Sequence, residues 1–308
     1  MVIVRGLTNL PESLRGAVVT IGNFDGVHRG HQSLFERLQQ LAQPLNAPTM
    51  AITFEPHPRR LLHPERPTPR ITGVRGKARW MERAGLDGMF ILHFTHQLQG
   101  LSAEGFVQQI LVDGLQVQQI LIGRNFRFGA RGQGDFSTLE QMGQQHGFAV
   151  EASDLLQQDG GAISSTRVRE AVSQCDFVKA KWLLGRHFEV EMRVSSGQKR
   201  GRGMGFPTAN LPLRDRLHPP RGVYIVEGRV EGQWVPAVAN IGINPTFGDE
   251  GLHMEVHMLS DCPDLYHRHL RVRFHAFVRE EQKFASQEAL IAQIGKDVAK
   301  AKQFFNLS

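Results

Sequence analysis

The chain has 308 residues, 41% hydrophobic and 21% charged, which is typical of a soluble globular protein long enough for two domains. No apolar run is long enough to span a bilayer, and the N-terminus lacks the charged region and apolar core of a signal peptide. The net charge of +6 favours anionic partners, either nucleic acid or phosphorylated small molecules. Cys175 and Cys262 show no metal or redox spacing, so we expect a protein of the reducing cytoplasm.

Strands and helices alternate in the N-terminal half. The apolar pattern predicts strands at 17–21, 49–54, 89–94, 119–123 and 148–151, and helices near 77–84, 103–111 and 138–146. This alternation predicts an α/β domain whose parallel sheet is covered by helices on both faces. Ligands of such sheets bind at the carboxyl ends of the strands. Because each motif in this half follows a predicted strand, we expect one common site.

The decamer 22–31, Gly-Asn-Phe-Asp-Gly-Val-His-Arg-Gly-His, joins the first strand to a helix that begins near His31. A glycine-rich turn of this kind aims backbone N–H groups and the positive end of the helix dipole at one point, which suits a phosphate. His28 and His31 are three residues apart and can stand side by side. As N–H donors they could stabilise charge that develops on a leaving pyrophosphate. The plainer alternative is a turn with two solvated histidines.

Three further segments of this half supply polar groups. Glu55-Pro56-His57-Pro58 is rigid because its two prolines prohibit regular structure. The segment 123–129, Gly-Arg-Asn-Phe-Arg-Phe-Gly, supplies an amide, two arginines and two aromatic rings, unless it is simply a packed turn. The segment 163–169, Ile-Ser-Ser-Thr-Arg-Val-Arg, places hydroxyls and arginines at a helix start. An ordinary N-cap explains the hydroxyls, but arginines there oppose the dipole unless an anion is bound.

These segments resemble the adenylyl-transferring module of the bacterial bifunctional riboflavin kinase/FMN adenylyltransferase (FAD synthetase) family, a Rossmann-like nucleotidyltransferase. The resemblance implies that the FMN phosphate attacks the α-phosphorus of ATP in line, giving FAD and pyrophosphate. It implies catalytic roles for His28 and His31. It implies ATP binding by Gly22, Phe24, Gly30, Ser165, Thr166 and Arg169. It implies flavin binding by Phe54, Pro56, His57, Pro58, Asn125 and Arg127.

The pattern changes near residue 185. A helix over 169–184, interrupted near Cys175, ends at Gly185, and residues 188–194 then alternate strictly between apolar and charged, as in a half-buried strand. Further strands are predicted at 222–230, 234–243, 253–258 and 270–276. A final amphipathic helix carries Leu290, Ile294, Val298, Ala301 and Phe305 on one face. We therefore predict an N-terminal domain over 1–185 and a mainly antiparallel β-barrel or sandwich with a C-terminal helix over 186–308.

Two stretches of the C-terminal half contain candidate binding and catalytic residues. The segment 201–210, Gly-Arg-Gly-Met-Gly-Phe-Pro-Thr-Ala-Asn, has alternating glycines that let a backbone wrap close to phosphates, and Thr208 and Asn210 supply oxygens suited to Mg²⁺. A flexible hairpin is the alternative. Farther on, Asn-Ile-Gly-Ile-Asn-Pro-Thr-Phe-Gly (240–248) precedes Met-Glu-Val-His (254–257), where alternation places Glu255 on a polar strand face. An exposed strand glutamate is the alternative there.

These stretches resemble the riboflavin kinase half of the same family. The resemblance implies phosphoryl transfer from MgATP to riboflavin, giving FMN and ADP, with Glu255 as the general base for the 5′-hydroxyl. It implies ATP binding by Gly201, Gly203, Gly205, Pro207 and Asn210, and Mg²⁺ binding by Thr208 and Asn210. The chain departs from the family at His267 and Met192, where glycine is common. Those departures leave the local geometry open and touch no implied catalytic residue.

Three alternatives remain at this stage. His253, Glu255 and His257, with His267 and His269 nearby, form a weak zinc pattern because no cysteine or fixed helical spacing accompanies them. Only one half of the chain could be active. A basic, flavin-responsive RNA-binding protein is the third, although the dispersed charge argues against nucleic acid. We expect small-molecule substrates (ATP, riboflavin and FMN) and no membrane partner, and leave self-association open.

Overall fold

The structure is a computed structural model that describes residues 1–65, 68–153, 157–158, 161–195, 206–243 and 251–307. The chain divides into two compact units. The first unit comprises Met1–Thr68 and Val74–Ser164, and the second comprises Pro69–Gly73 and Ser165–Ser308.

A parallel sheet forms the centre of the first unit. Its described strands are β1 (Val2–Arg5), β2 (Val18–Ile21), β3 (Thr49–Glu55), β4 (Gly88–His93), β5 (Gln119–Gly123) and β6 (Ala149–Ser153). Their order is β1-β4-β3-β2-β5-β6, and each neighbouring pair is parallel. The carboxyl ends of the strands therefore meet at one edge. The short hairpin β7 (Gln157–Gln158) and β8 (Gly161–Ala162) follows β6.

Helices connect these strands. They are α1 (Arg29–Ala42), α2 (Pro58–Leu62), α3 (Val74–Arg83), α4 (His96–Gln99), α5 (Ala103–Phe106) and α6 (Phe136–His146). A wider helical turn over Val107–Val112 continues α5. The side chains of Thr95, Ser102 and Asp135 cap α4, α5 and α6 by accepting from backbone N–H groups of the first turn. Capping satisfies donors that have no partner inside the helix.

Both faces of the first sheet are buried. Met50, Ile52 and Phe90 face one core, which Phe106 and Leu139 complete from the α5 and α6 side. The alternate strand residues, such as Val18, Ala51 and Met89, face a second core with residues of α1 and α3, including Phe35, Leu38 and Met81. Neighbouring residues of a strand point to opposite faces. Because both faces are buried, the sequences of these strands are continuous apolar runs.

An antiparallel sheet forms the centre of the second unit. Its described strands are β9 (Glu189–Arg193), β10 (Ala209–Pro212), β11 (Gly222–Val230), β12 (Gln233–Ile243), β13 (Leu252–Met258) and β14 (His269–Arg279). Their order is β10-β13-β12-β11-β14-β9. The backbone N–H of Ser195, just after β9, donates to the Asn210 carbonyl of β10 at 2.9 Å. This bond joins the two edges of the sheet, so the strands form a nearly closed barrel.

The helices described in the second unit are α7 (Ser165–Ser173), α8 (Phe177–Leu184) and α9 (Gln287–Phe304). The predicted interruption before α8 is present, with Cys175 at a φ of 57° and the Asp176 side chain capping α8. Val298 and Ala301 of α9, with Phe305 just after it, pack against Val223, Ile225 and Val238 of the barrel.

The predicted fold class is confirmed in both halves. Within the described residues, the strands β1, β7, β8 and β10 were not predicted from the sequence pattern. β1 is short and largely exposed, so its alternation was too weak to predict it. β10 begins in the last two residues of the segment 201–210, which the glycine spacing predicts to be a phosphate-binding turn, and continues to Pro212. The functional boundary near residue 185 stays a prediction; α7 and α8, which precede it, group with the second compact unit.

Candidate active sites

The first candidate site lies at the carboxyl edge of the parallel sheet, where the decamer 22–31 turns from β2 into α1. α1 begins at Arg29, and the backbone N–H groups of His31 and Gln32 donate to the His28 carbonyl at 2.8 and 3.0 Å. Phe24 and Val27 have φ values of 47° and 42°. This left-handed region is unfavourable for residues with side chains. Both side chains are buried in the core beneath α1, which holds the turn in that conformation.

The two histidines of the turn form one unit. Their rings are stacked, with centroids 3.6 Å apart and planes 18° apart. The Phe24 ring packs edge to face against the His31 ring, with centroids 5.2 Å apart and planes 80° apart. His28 is buried, with 5% of its surface exposed. The predicted side-by-side pair is therefore present in the structure, while its catalytic role stays a prediction.

A buried lysine lies beside this turn. The Lys77 ammonium of α3 donates to the Thr53 hydroxyl at 2.8 Å, and that hydroxyl donates to the Asn23 carbonyl at 3.3 Å. Lys77 and Thr53 are both buried. The sequence pattern predicted a helix here, but nothing in it distinguished Lys77 from the exposed basic residues of the same helix.

A cavity of about 670 Å³ opens next to the decamer. Four of the predicted flavin-binding residues line it, together with Gly22 and Asn23: Phe54, Pro58, Asn125 and Arg127. Pro56 and His57 lie in the connection between β3 and α2 and do not line the cavity. His57 instead caps α2, where its Nδ1 accepts from the Arg59 backbone N–H at 3.2 Å.

The cavity wall is aromatic, with the two rings of the segment 123–129 and two further rings that the sequence did not indicate. Phe94, Phe106, Phe126 and Phe128 line it, with Leu62 and Leu98. The rings of Phe126 and Phe128 are stacked 5.7 Å apart, and those of Phe54 and Phe94 meet edge to face at 5.8 Å. Such a wall suits a flat, apolar ring system. These residues come from separate connections, so only the folded sheet brings them together.

Arg127 forms an ion pair at the cavity. Its guanidinium lies 2.8 Å from an Asp135 carboxylate oxygen. The Ser137 hydroxyl, the Thr138 N–H and hydroxyl, and Arg127 hold the pKa of the Asp135 carboxyl well below its usual range. The carboxylate therefore stays ionised and neutralises much of the Arg127 charge.

Ser165, Thr166 and Arg169 lie in the first half of α7, in the second compact unit. The Arg169 guanidinium donates to the Pro69 carbonyl of the same unit at 2.9 Å. Their role in ATP binding stays a prediction.

The second candidate site lies on the barrel. Glu255 of β13 is in register with Asn210 of β10 on one side and with Asn240 of β12 on the other. Residues directly opposite each other on neighbouring strands project to the same face. The flanking residues Met254 and Val256 are buried in the barrel core, whereas Glu255 is partly exposed. The face opposite the core thus carries two amides beside one carboxylate.

A cavity of about 420 Å³ lies at the start of β10. Pro207 and Thr208, which the resemblance assigns to ATP and Mg²⁺, line it with Cys262 and Tyr266. The imidazole of His257 is 3.0 Å from the Pro207 carbonyl, and its ring meets that of Phe206 edge to face at 5.2 Å. These contacts fix the chain where it enters β10.

Gly201, Gly203 and Gly205, and residues 244–248 of the second motif, lie outside the described residues. His267, where the family usually has glycine, has a φ of 61°. The backbone therefore keeps the conformation that glycine favours. Met192 pairs with Leu270 in the β9–β14 ladder, in an ordinary strand position.

The zinc alternative gains no support. Within the described ranges, no three His, Cys, Asp or Glu side chains form a group that could hold a metal ion. The His253 ring faces the Gly251 carbonyl at 2.6 Å, and His257 faces Pro207.

Comparisons with known proteins match the two halves of the chain to two families. Residues 10–167 match the sequence model of the FAD synthetase family, and residues 184–305 match that of riboflavin kinase. The chain is 48% identical to the bifunctional riboflavin kinase/FMN adenylyltransferase of Pseudomonas fluorescens, over 98% of this chain and 97% of the relative. It is 40% identical to the protein of the same name from Escherichia coli strain K12, over 100% and 99% of the two chains.

A solved structure is also similar. The chain described as a macrolide-efflux protein from Streptococcus pneumoniae superposes with a TM-score of 0.84 at 28% identity, covering 98% of this chain and 99% of that one. Within the part of the chain that the structure describes, no helix is both long enough and apolar enough to cross a membrane. The fold and the family matches define a two-domain enzyme that combines a FAD synthetase part with a riboflavin kinase part. The chain belongs to the bifunctional riboflavin kinase/FMN adenylyltransferase family.

Proposed function

We propose that this chain makes FAD from riboflavin in two steps. The C-terminal part phosphorylates riboflavin with ATP, giving FMN and ADP. The N-terminal part adenylylates FMN with a second ATP, giving FAD and pyrophosphate. The observation that carries this proposal is the match of each half to a separate enzyme family, in one chain that its bifunctional relatives cover almost completely.

For the adenylyl transfer, we assign the large cavity beside the decamer to FMN and the turn itself to ATP. The aromatic wall would hold the isoalloxazine ring, and Asn125 at the rim would donate a hydrogen bond. An FMN phosphate oxygen attacks the α-phosphorus of ATP, and the bond to pyrophosphate breaks. His28 and His31, with the N–H groups of the first turn of α1, would stabilise the charge on the leaving group. Ser165, Thr166 and Arg169 are assigned to ATP by resemblance alone.

For the phosphoryl transfer, we assign Glu255 as the general base. Its carboxylate would accept the proton of the riboflavin 5′-hydroxyl while that oxygen attacks the γ-phosphorus and ADP leaves. Asn210 and Asn240, in register on either side, would keep the carboxylate in position. Pro207 and Thr208 border the cavity that we assign to ATP. Gly201, Gly203 and Gly205 are assigned to ATP by resemblance alone.

Mg²⁺ is part of this proposal. The Thr208 hydroxyl lines the nucleotide cavity, and the side chain of the buried Asn210 lies opposite Glu255 on the same strand face. Hard oxygen donors of this kind fit Mg²⁺. When bound with ATP, the ion would neutralise phosphate charge. The backbone of Asn210 is fixed because its carbonyl accepts from both the N–H and the hydroxyl of Ser195, at 2.9 and 3.2 Å.

We expect these small molecules to be the partners and the cytoplasm to be the place of action. The dispersed positive charge suits phosphorylated substrates.

Position-specific labels test the two steps. Purified protein would be given riboflavin and MgATP labelled in either the γ- or the α-phosphate. Among the flavins, label from the γ-position should appear in FMN and then in FAD, whereas label from the α-position should appear in FAD and not in FMN. FMN without FAD would show that only the kinase half is active. Absence of both products would contradict the proposal and favour a binding protein.

A further inference from the structure

The loop after β5 holds an arginine in an unusual backbone conformation. The N–H groups of Phe128 and Gly134 donate to each other's carbonyls at 3.0 and 2.9 Å, which closes the loop. The Ala130 N–H donates to the Leu101 carbonyl at 2.7 Å and anchors it to the helical layer. At its tip, Arg131 has a φ of 55° and a ψ of 17°. The loop is therefore fixed, and Arg131 occupies a left-handed position that glycine would fill without cost.

Arg131 also lines the large cavity of the first unit. Among the described residues that line this cavity, none is Asp or Glu, and the two arginines are Arg127 and Arg131. Arg127 is paired with Asp135. Arg131 is exposed, and the described part of the chain shows no ion pair or hydrogen bond of its guanidinium. The cavity thus combines an apolar aromatic wall with one uncompensated cation.

We propose that Arg131 binds the terminal phosphate of FMN and thereby makes the cavity select the phosphorylated flavin over riboflavin. This inference rests on the proposed function, because it assumes that the cavity holds the flavin of the adenylyl transfer. A flat ring on the aromatic wall and a phosphate monoester on the guanidinium together match the chemistry of the lining. Guanidinium groups recognise phosphate oxygens through charge-assisted hydrogen bonds.

The backbone conformation supports a functional reason for the arginine. A strained residue persists where the surrounding structure holds it, and such residues cluster at ligand sites. Arg131→Gly removes the side chain and relieves the strain in the same change. A structural role predicts that this variant loses stability, whereas a phosphate-binding role predicts a stable protein with a weaker substrate interaction.

The test is FAD formation from FMN and MgATP by the full chain. Arg131→Gly should raise the KM for FMN by about 10-fold or more, as expected for the loss of hydrogen bonds to a charged group. The KM for ATP should stay within about twofold, because the proposed contact is to FMN alone. The inhibition constant of 5′-deoxyriboflavin, which has no phosphate and cannot be phosphorylated, should not change. Arg131→Lys should recover part of the FMN affinity, and the melting temperature of Arg131→Gly should not fall.

Three results would overturn the inference: an unchanged KM for FMN, a rise confined to the KM for ATP, or an equal loss of 5′-deoxyriboflavin affinity. Phe126→Ala separates this inference from the proposed function. If Phe126→Ala weakens both FMN and 5′-deoxyriboflavin but Arg131→Gly weakens neither, the cavity holds flavin and only the role of Arg131 is wrong. If Phe126→Ala affects neither ligand, the assignment of the cavity to flavin is itself wrong.

Discussion

The imidazole rings of His28 and His31 are stacked 3.6 Å apart at the N-terminus of α1. This contact depends on the residues around it. Phe24 meets the His31 ring from the side, and Gly30, between the two histidines, leaves room for the His28 ring. A methyl group on Gly30 would lie 3.2 Å from the His28 Nδ1 and 3.1 Å from the Ile163 carbonyl.

The first prediction concerns this space. Gly30→Ala should lower the rate of FAD formation from FMN by about 10-fold or more, because a displaced His28 loses its position relative to the nucleotide. Alanine favours helix over glycine by about 1 kcal/mol, so a loss of helix cannot explain that decrease. Gly295→Ala on α9, where the added methyl meets nothing within 4 Å, is the matched control and should leave FAD formation unchanged. Equal rates for the two variants would contradict the role given to His28.

The second prediction concerns the register of Asn240 with Glu255. Asn240→Asp places a second carboxylate on the neighbouring strand, directly opposite the proposed base. A neighbouring like charge raises the pKa of a carboxyl group. The acid limb of the kinase pH profile should therefore move to higher pH. The pH dependence of kcat/KM for riboflavin measures this, with Asn240→Ser as the uncharged control. An acid limb that stays in place would argue against Glu255 as the titrating base.

The third prediction concerns acid stability of the barrel. The rings of His187 and His275 are 4.5 Å apart, and His275 contacts Glu227, Phe304 and Phe305. Burial, with His275 and Lys181 nearby, lowers the pKa of His187 to about 4. Burial also lowers the pKa of His275, although Glu227 opposes this.

The sign of this effect follows from proton binding. Between pH 6.5 and about 4 the unfolded chain binds a proton at His187 that the folded chain does not, so stability falls as the pH falls through this window. The loss should reach about 1–3 kcal/mol, since each pKa unit corresponds to about 1.4 kcal/mol. Urea unfolding from pH 7.5 to 4.5 measures it, and His187→Gln should reduce the slope. The same slope in both proteins would contradict this assignment.

The fourth prediction concerns the docking of α9. Asp297 is 2% exposed and receives hydrogen bonds from the Arg279 guanidinium at 2.8, 3.0 and 3.1 Å. Asp297→Ala leaves the guanidinium without its carboxylate, which costs about 3–5 kcal/mol for buried pairs. The free energy of unfolding should fall by that amount. Lys300→Ala, at an exposed position of the same helix, should change it by less than about 0.5 kcal/mol. A similar decrease in the free energy of unfolding in both variants would show that the ion pair does not stabilise the docking of α9.

The sequence was sufficient to predict the alternation of strands and helices, because the apolar residues of both cores recur at the regular spacing of strands and helices. It also identified the decamer, since the turn, the helix start and the two histidines are close in the chain. The segment 123–129 already indicated the rings of Phe126 and Phe128, but nothing in the sequence indicated that Phe94 and Phe106, from another connection of the parallel sheet, complete the same wall. Nor did it mark Lys77 or Asp297, because burial of a charged residue depends on tertiary packing.

The most direct test of the account is a paired product assay. Riboflavin and MgATP would be incubated with the unchanged protein, His31→Ala and Glu255→Ala, and the flavins separated by chromatography. We expect FAD from the unchanged protein, FMN alone from His31→Ala, and almost no product from Glu255→Ala until FMN is supplied, when FAD forms. This pattern would establish two separable sites. FAD formed by His31→Ala at the rate of the unchanged protein would contradict the central claim that the decamer is the adenylyl-transfer centre.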